Sequence, residues 1–110
     1  MLGVSAFDGA DPTRTSDAEL LAAVGADDMA AYDALFRRYY KAVVAYALTV
    51  SDGSDEAEDA ASEAMALLWR KRRRIRLVND SLLPWLLAAT KNISRNALRS
   101  RLRDFRRAKA

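Results

Sequence analysis

The amino-acid sequence predicts an all-α protein, a compact bundle of three long helices with one short helix at its N-terminal end. Two patterns favour this fold: apolar residues recur at steps of three and four along most of the chain, and no segment of strand length alternates apolar with polar residues. The chain has 110 residues, the usual size of a domain with one core. We therefore expect one helical domain over residues 16–105.

The N-terminal residues predict a disordered leader followed by a short helix. Residues 1–15 contain two of the four Gly and one of the two Pro, and they show no helical periodicity. Ser16 and Glu19 then have the spacing of a capping box, in which the Ser oxygen accepts a bond from a free amide at the helix start and Glu reaches back. This helix should cover residues 17–24 and end near Gly25.

Two longer amphipathic helices are predicted next. The second helix covers residues 27–50, and its apolar face is formed by Tyr32, Leu35, Phe36, Tyr39, Val43, Tyr46, Ala47 and Val50. The turn-forming residues 51–54 end it. The third helix begins at about Asp55 and fades near Arg73, with an apolar face formed by Ala57, Ala61, Ala64, Met65 and Leu68.

A loop and a fourth helix complete the predicted bundle. Residues 74–81 show no periodicity and end in Asn79-Asp80-Ser81, which is typical of turns and helix N-caps. Pro84 fits the first turn of a helix, where its missing amide would have no partner. The fourth helix should cover residues 82–105, with an inward face formed by Leu86, Ala89, Ile93, Ala97 and Leu102. Residues 106–110 should begin a linker or tail.

The composition excludes most catalytic chemistry. The chain has no Cys and no His, which removes thiol nucleophiles, disulfides, imidazole acid–base catalysis and the usual zinc ligands. We therefore expect no catalytic residue, no metal and no cofactor, although carboxylate catalysis is not formally excluded. The N-terminus lacks the pattern of a signal peptide, and no apolar stretch reaches the ~20 residues that span a bilayer. A cytoplasmic protein without a membrane partner is the corresponding expectation.

Charge is distributed unevenly along the chain. Residues 1–63 contain 13 acidic and four basic residues, a balance of −9. Residues 64–110 contain 14 basic and two acidic residues, a balance of +12. This asymmetry indicates two different partners, a basic one for the first half of the chain and a polyanion for the second half.

The third helix begins with a dense cluster of carboxylates. Five acidic residues fall within positions 55–63. Acidic residues complement the dipole at a helix N-terminus, and this compensation alone is one explanation. Five neighbouring carboxylates repel one another, however, and exceed what compensation requires. Four residues on one face of this helix would present a binding patch to an arginine-rich partner, namely Asp55, Asp59, Ser62 and Glu63.

The fourth helix carries a ladder of basic residues. Its members at intervals of four are Lys91, Arg95, Arg99, Arg103 and Arg107, with Arg101 and Arg106 beside them. A step of four residues advances 400°, so the ladder makes a slanted stripe around the helix. A solvated face is the alternative explanation, but such a face usually mixes charges, and residues 82–110 contain only one acid, Asp104. Unmixed positive charge favours a phosphate backbone.

Asn and Arg side chains near this ladder are candidates for contacts to bases. Asn92 and Asn96 lie one turn apart in mid-helix, although Asn is a weak helix former. Solvent exposure alone would explain them, but amides beside phosphate contacts also suit base reading. The preceding loop offers guanidinium planes that can stack on a splayed base, on Arg72, Arg73, Arg74 and Arg76. Trp69 and Trp85 flank this loop at helical spacing, which favours core packing.

Three segments carry motifs whose order and spacing are more specific than any one of them. They read Ser16-Asp17-Ala18-Glu19-Leu20-Leu21, then Ala57-Glu58-Asp59-Ala60-Ala61-Ser62-Glu63 leading to Leu68-Trp69-Arg70, then Trp85-Leu86-Leu87-Ala88-Ala89-Thr90-Lys91-Asn92 and Leu98-Arg99. Together they resemble the region 2 domain of extracytoplasmic-function sigma factors of the sigma-70 superfamily. The resemblance covers residues 16–103, and the family's second helical domain, which reads the −35 element, lies outside it.

The resemblance implies a sigma-70 region 2-like fold and two binding surfaces. The acidic third helix would dock on the clamp coiled coil of the largest subunit of bacterial core RNA polymerase, with Asp59, Ser62 and Glu63 at the family's contact positions. Residues 73–83 and the fourth helix would engage the promoter −10 element as it opens, with Asn92 at a base-reading position of the non-template strand. An anti-sigma factor is a further partner that the resemblance implies.

The sequence departs from the family pattern at both surfaces. Ser62 stands where the family usually has Gln, and Met65 stands where an aromatic residue is common. Leu82, Leu83 and Pro84 occupy loop positions where aromatics and a Thr are frequent. We expect the polymerase contact to differ in detail, and the identity of the captured base is left open.

These observations favour a transcription initiation module without enzymatic activity. Two other functions also fit the charges. An interaction module could sequester a basic partner through its acidic half, with the basic helix serving solubility. A nonspecific binder of single-stranded nucleic acid would use the basic half alone.

Overall fold

A computed structural model describes residues 15–109 as four helices joined by short connections. These are α1 (Asp17–Gly25), α2 (Met29–Val50), α3 (Ser54–Arg70) and α4 (Leu83–Lys109). Over this range no strand forms, and Val78 and Ser81 make an isolated bridge. The prediction of an all-α bundle is confirmed. The predicted leader, apart from Thr15, lies outside the described residues.

The capping box at the start of α1 forms as predicted. The Ser16 hydroxyl oxygen accepts a 3.1 Å hydrogen bond from the amide of Glu19. The same hydroxyl donates a 3.1 Å hydrogen bond to the Glu19 carboxylate. These bonds satisfy a free amide at the helix start and orient the first turn of α1.

α2 begins two residues later than the sequence predicted. Asp27 adopts a left-handed backbone conformation with φ of 68°, which a right-handed helix cannot include. Asp28 is the N-cap instead, because its carboxylate accepts hydrogen bonds of 3.0 and 3.2 Å from the amides of Ala30 and Ala31. The start of α2 is therefore fixed by its own N-cap residue.

α2 lies at the centre of the bundle and contacts each of the other three helices. Its predicted apolar face is buried or half-buried over its whole length, with Leu35, Val43 and Ala47 fully buried. α3 packs against it through small side chains, which allow close approach: Ala57, Ala60, Ala61 and Ala64. The predicted faces of α2 and α3 are confirmed.

α4 is longer than predicted and leaves the bundle. It contains 27 residues, compared with 17 in α3, and it ends at Lys109 rather than near Phe105. Every residue from 95 to 109 is exposed. The prediction that Ala97 and Leu102 face inward is wrong, because both residues are exposed and the neighbouring elements do not bury this part of α4. Leu86 and Ala89 are buried and Ile93 is half-buried, as predicted.

A buried carboxylate joins three elements of the fold. Asp17, in the first turn of α1, accepts hydrogen bonds from the Arg38 guanidinium at 2.7 Å, from the Tyr39 hydroxyl, and from the amide of Leu82 at 2.8 Å. Burial raises the pKa of this carboxyl, but the bonds from Tyr39, Leu82 and Arg38 outweigh it, so the pKa lies below its ordinary value of 3.8. The sequence analysis missed this role of Asp17.

Candidate functional site

The acidic residues of α3 form one exposed surface. Asp55, Asp59, Ser62 and Glu63 are all exposed, on the side of α3 opposite its buried alanines. The Glu63 carboxylate accepts a 2.9 Å bond from Arg70, one exposed ion pair on the same helix. Among the described residues, the side chains of Asp55, Asp59 and Ser62 make no hydrogen bond or ion pair. The structure thus places the four predicted residues on one surface. Within the described chain, two of their three carboxylates have no cationic partner.

A groove separates this acidic surface from α4. It encloses about 240 Å³ and is lined by Glu56, Asp59, Ala60 and Glu63 of α3 and by Ile93, Ser94, Ala97 and Arg101 of α4. We call it the α3–α4 groove. Its apolar lining residues are Ala60, Ile93 and Ala97, its α3 side carries three carboxylates, and its α4 side carries the Arg101 guanidinium. Such a groove suits a ligand that combines apolar side chains with positive charge.

The basic ladder of α4 faces solvent. The six predicted residues on this helix are all exposed, and they form what we call the basic face: Lys91, Asn92, Arg95, Asn96, Arg99 and Arg103. Within residues 15–109 none of their side chains makes an ion pair or hydrogen bond. Arg101, on another side of the helix, pairs with Asp52 at 2.9 Å. The basic face therefore presents uncompensated positive charge and free amide groups.

Buried groups hold α4 in place beneath the basic face. The Ser94 hydroxyl donates a 2.8 Å bond to the carbonyl of Val50, at the end of α2, and lies 3.0 Å from the Ser51 hydroxyl. One turn earlier, the buried Thr90 hydroxyl donates to the carbonyl of Leu86. The Thr90 bond lies within α4, whereas the Ser94 contacts join α4 to the end of α2. The Ser94 contacts therefore restrict the rotation of α4 about its axis, and with it the direction in which Asn92 and Arg95 point.

The loop between α3 and α4 uses some of its arginines internally. The Arg72 guanidinium lies 4.1 Å from the centre of the Trp69 ring and donates to the Asp27 carboxylate. Arg73 donates to the same carboxylate at 2.8 Å and to the carbonyl of Gly25 at 2.9 Å. These contacts attach the base of the loop to the α1–α2 corner. Arg73, predicted to bind DNA, is therefore already engaged within the fold.

Two arginines further along the loop are open to solvent. Arg74 and Arg76 are exposed, and in the described part of the chain their side chains have no partner. At the tip, Val78 and Ser81 exchange backbone hydrogen bonds of 3.2 and 3.0 Å, while Asn79 and Asp80 adopt φ of 52° and 59°. Two consecutive residues with left-handed φ, between two residues that exchange backbone hydrogen bonds, define a type I′ turn. The predicted turn therefore has a defined backbone conformation.

Both tryptophans pack against the core, as predicted, while remaining half-buried. The Trp69 ring meets Tyr32 edge to face, with 5.4 Å between ring centres. Within residues 15–109 no group of three or more carboxylates is arranged so that it could hold a metal ion. Over the same range no helix is long and apolar enough to cross a membrane.

Comparisons with known proteins identify a family that covers more than half of the chain. The family Sigma-70 region 2 matches residues 35–104, from the middle of α2 to the exposed part of α4. The ECF RNA polymerase sigma factor SigM of Mycobacterium tuberculosis (strain ATCC 25618 / H37Rv) is 48% identical to this chain over 50 residues. That alignment covers 46% of this chain and 26% of SigM, about a quarter of the relative's length. No solved structure matches the chain.

Proposed function

The chain belongs to the Sigma-70 region 2 family, and from that premise we propose that it is the part of an extracytoplasmic-function sigma factor that binds core RNA polymerase and opens the promoter −10 element. One observation carries the proposal: the acidic surface of α3 and the basic face of α4 are both exposed, opposite in charge, and fixed to each other by the core of one small bundle. Such a molecule can hold a basic protein surface and a nucleic acid at once.

The acidic surface of α3 is the proposed polymerase contact. This surface would contact the clamp coiled coil of the largest subunit through Asp55, Asp59, Ser62 and Glu63. Arginine side chains of the partner can form bidentate hydrogen bonds with such carboxylates. Three features support this assignment: the exposure of the four residues, the scarcity of internal partners, and the groove beside Asp59 and Glu63 that can receive apolar parts of a partner side chain.

The basic face of α4 and the open part of the loop are the proposed promoter contact. Lys91, Arg95, Arg99 and Arg103 would neutralise phosphates, and Asn92 and Asn96 would contact base edges of the non-template strand. Arg74 and Arg76, free at the surface of the loop, would surround an unstacked base. Binding of unpaired bases shifts the duplex toward its open form through binding energy alone, so the proposal requires no enzymatic step.

A pull-down with bacterial core RNA polymerase tests the proposal. The wild-type chain should retain polymerase at moderate salt, and Asp59→Arg should abolish retention, because it places a cation in the centre of the acidic surface. Asp33→Arg is the matched control: it makes the same charge change at an exposed residue of α2 that only pairs with Arg37. Retention by Asp33→Arg and loss with Asp59→Arg would support the assignment.

Two outcomes would contradict it. If the Asp59→Arg variant binds polymerase as well as the wild type, the acidic surface is not the contact. If a folded wild-type chain binds no polymerase but binds single-stranded DNA of any sequence, a nonspecific nucleic-acid binder is the better description. Far-ultraviolet circular dichroism of each variant establishes that the helices are retained.

A further inference from the structure

A single carboxylate at the α1–α2 corner holds two consecutive arginines of the loop between α3 and α4. The Asp27 Oδ1 atom accepts hydrogen bonds of 3.0 and 2.8 Å from Arg72 and one of 2.8 Å from Arg73. We call these three residues the Asp27 anchor. α3 ends at Arg70, so the anchor determines where the loop begins.

The backbone of the corner places the Asp27 carboxylate. The amide of Asp27 donates a 2.8 Å bond to the carbonyl of Val24, and the amide of Asp28 donates a 3.0 Å bond to the carbonyl of Ala23. Asp27 adopts φ of 68° between these bonds, a conformation that is less favourable for a residue with a Cβ atom than for Gly. The three bonds to its carboxylate offset that cost.

Arg72 is a structural part of the anchor. Its side chain is only 16% exposed, and its guanidinium lies 4.1 Å from the centre of the Trp69 ring. It also donates a 2.8 Å bond to the carbonyl of Trp69. Turning toward a nucleic acid would cost Arg72 the ring contact and all of these hydrogen bonds. The anchor therefore holds the loop in place rather than keeping a cation ready for release.

Both ends of residues 74–81 are held by carboxylates from the N-terminal part of the fold. Asp27 holds Arg73 before this segment, and Asp17 accepts a 2.8 Å bond from the amide of Leu82 after it. The two carboxylates precede residue 35, where the match to the family begins. Residues outside that match thus determine where the loop starts and ends.

The exposed cations of the loop follow the anchor directly. Ile75 and Leu77 pack against the core, and the alternating residues Arg74 and Arg76 are exposed. In an extended segment, a shift by one residue would exchange the two sets of side chains. The position of Arg73 therefore helps to determine which side chains of the loop face solvent.

We propose that Asp27 is a positioning residue for the promoter contact. It holds Arg72 and Arg73, and this fixes where the loop leaves α3. The direction of Arg74 and Arg76 toward an unpaired base depends on that fixed start. This inference rests on the proposed function, which assigns the unstacked base to these two arginines.

Electrostatics alone predicts the opposite effect of losing Asp27. Removal of a carboxylate beside a cationic loop favours binding of a polyanion, and it would free Arg73 to pair with a phosphate. Positioning predicts weaker binding, because guanidinium planes stack on a base only when they are aligned with it. The direction of the change in affinity therefore distinguishes the two effects.

Fluorescence anisotropy with a labelled pool of random-sequence single-stranded DNA, at one fixed salt concentration, measures that direction. Asp27→Gly removes the carboxylate and suits the left-handed φ of the corner. Its Kd should rise by about tenfold, the size of one lost stacking contact. Asp27→Asn keeps an acceptor oxygen and tolerates the same backbone, so its Kd should rise less.

Asp33→Asn is the matched control for the lost charge. Asp33 is 60% exposed, compared with 58% for Asp27, and it pairs with Arg37 on α2. Its Kd should stay unchanged or fall slightly. Far-ultraviolet circular dichroism of each variant establishes that the helices are retained.

A second set of variants tests whether Asp27 acts through the exposed arginines. Arg74→Gln with Arg76→Gln should weaken binding. Asp27→Gly should then add no further loss, because the groups that it positions are already absent. A merely structural role of Asp27 would add the same loss in both backgrounds.

Hydrogen exchange followed by NMR tests the anchor in the free chain. The amide of Arg74, next to the anchor, donates a 2.8 Å bond to the carbonyl of Lys71. In Asp27→Gly its exchange should accelerate by about fivefold or more, because the start of the loop opens locally. Exchange at Leu82, which Asp17 holds at the other end, should be unchanged.

The outcomes separate this inference from the proposed function. If wild type binds the DNA pool and Asp27→Gly binds it equally well or more tightly, the inference alone is overturned. Unchanged exchange at Arg74, or an equal loss of affinity in the background that lacks both exposed arginines, would overturn it as well. A folded wild-type chain that binds no DNA would overturn the proposed function and this inference with it.

Discussion

The carboxylate of Asp17 accepts a 2.8 Å hydrogen bond from the backbone amide of Leu82, 65 residues later in the chain. That amide precedes the first turn of α4, where backbone N–H groups lack helical partners. A negative charge at this place also complements the positive end of the α4 dipole. The first turn of α1 therefore supports the start of the helix that carries the basic face.

Asp17→Asn should destabilise the fold strongly. The substitution keeps the shape of the side chain but removes the charge that faces Arg38, and it weakens the bonds from Tyr39 and Leu82. We expect the free energy of unfolding to fall by about 2–4 kcal/mol in urea titrations. Asp33→Asn, at an exposed ion pair on α2, should change it by less than about 1 kcal/mol. Equal effects of the two substitutions would contradict the role of Asp17.

The contribution of Asp17 should depend on pH in a defined direction. The pKa of its carboxyl is lower in the folded chain than the ordinary value, so the unfolded chain takes up the proton first. The stabilisation is fully present above the ordinary pKa of 3.8, which applies to the unfolded chain, and is lost as the pH falls through the folded pKa. The difference in unfolding free energy between wild type and Asp17→Asn should be constant from pH 5 to 7 and shrink in more acidic buffer. A difference that grows in acid would be inconsistent with the observed bonds.

Substitutions on the basic face should separate affinity from sequence preference. Arg95→Glu with Arg99→Glu should weaken binding to every single-stranded DNA and reduce the dependence of affinity on salt, because fewer phosphates are neutralised. Asn92→Ala should mainly relax sequence preference, which fluorescence anisotropy with a panel of oligonucleotides can measure. Arg37→Glu with Lys41→Glu, at two exposed residues of α2, makes the same change in net charge and serves as the control. Equal losses with this control would mean that binding follows net charge rather than the basic face.

The turn at the tip of the loop should tolerate Gly and resist β-branched residues. Asp80 has a φ of 59°, a left-handed backbone conformation. The free energy of this conformation is far less favourable for a residue with a Cβ atom than for Gly. Asp80→Gly should leave thermal stability nearly unchanged, whereas Asp80→Val should lower the free energy of unfolding by about 1–2 kcal/mol. Asp104→Val, within regular helix, provides the comparison and should cost less. A tolerated Asp80→Val would indicate that the turn does not hold this shape in solution.

Local patterns predicted the helices well because local contacts determine them. The capping box at Ser16 and the steps of three and four in α2 and α3 depend on neighbours within one or two turns, and the structure confirms them. The exposure of Asp59 and Arg95 follows from the same periodicity. Their roles in binding polymerase and DNA remain predictions.

The misses at Asp17, Arg73 and Leu102 share one physical cause, because each depends on how residues far apart in the chain are arranged in the fold. Asp17 is the kind of acid that a helix start favours, and nothing local marks it as buried, because its partners lie 21 to 65 residues away. Arg73 belongs to an arginine run, and its pairing with Asp27 depends on how the loop meets the α1–α2 corner. The exposure of Leu102 depends on where the other helices end, which the periodicity of α4 does not encode.

The alanines between the helices determine how closely α3 packs against α2 and α4. Ala47 of α2 and Ala57 and Ala60 of α3 form a small buried cluster, and the half-buried Ile93 of α4 packs against it. Ala60 and Ile93 both line the groove between the acidic surface and α4. A larger residue at position 60 would push α3 and α4 apart and change the distance between the acidic surface and the basic face. Under the proposed function, these small side chains would therefore determine how far apart the polymerase contact and the promoter contact lie.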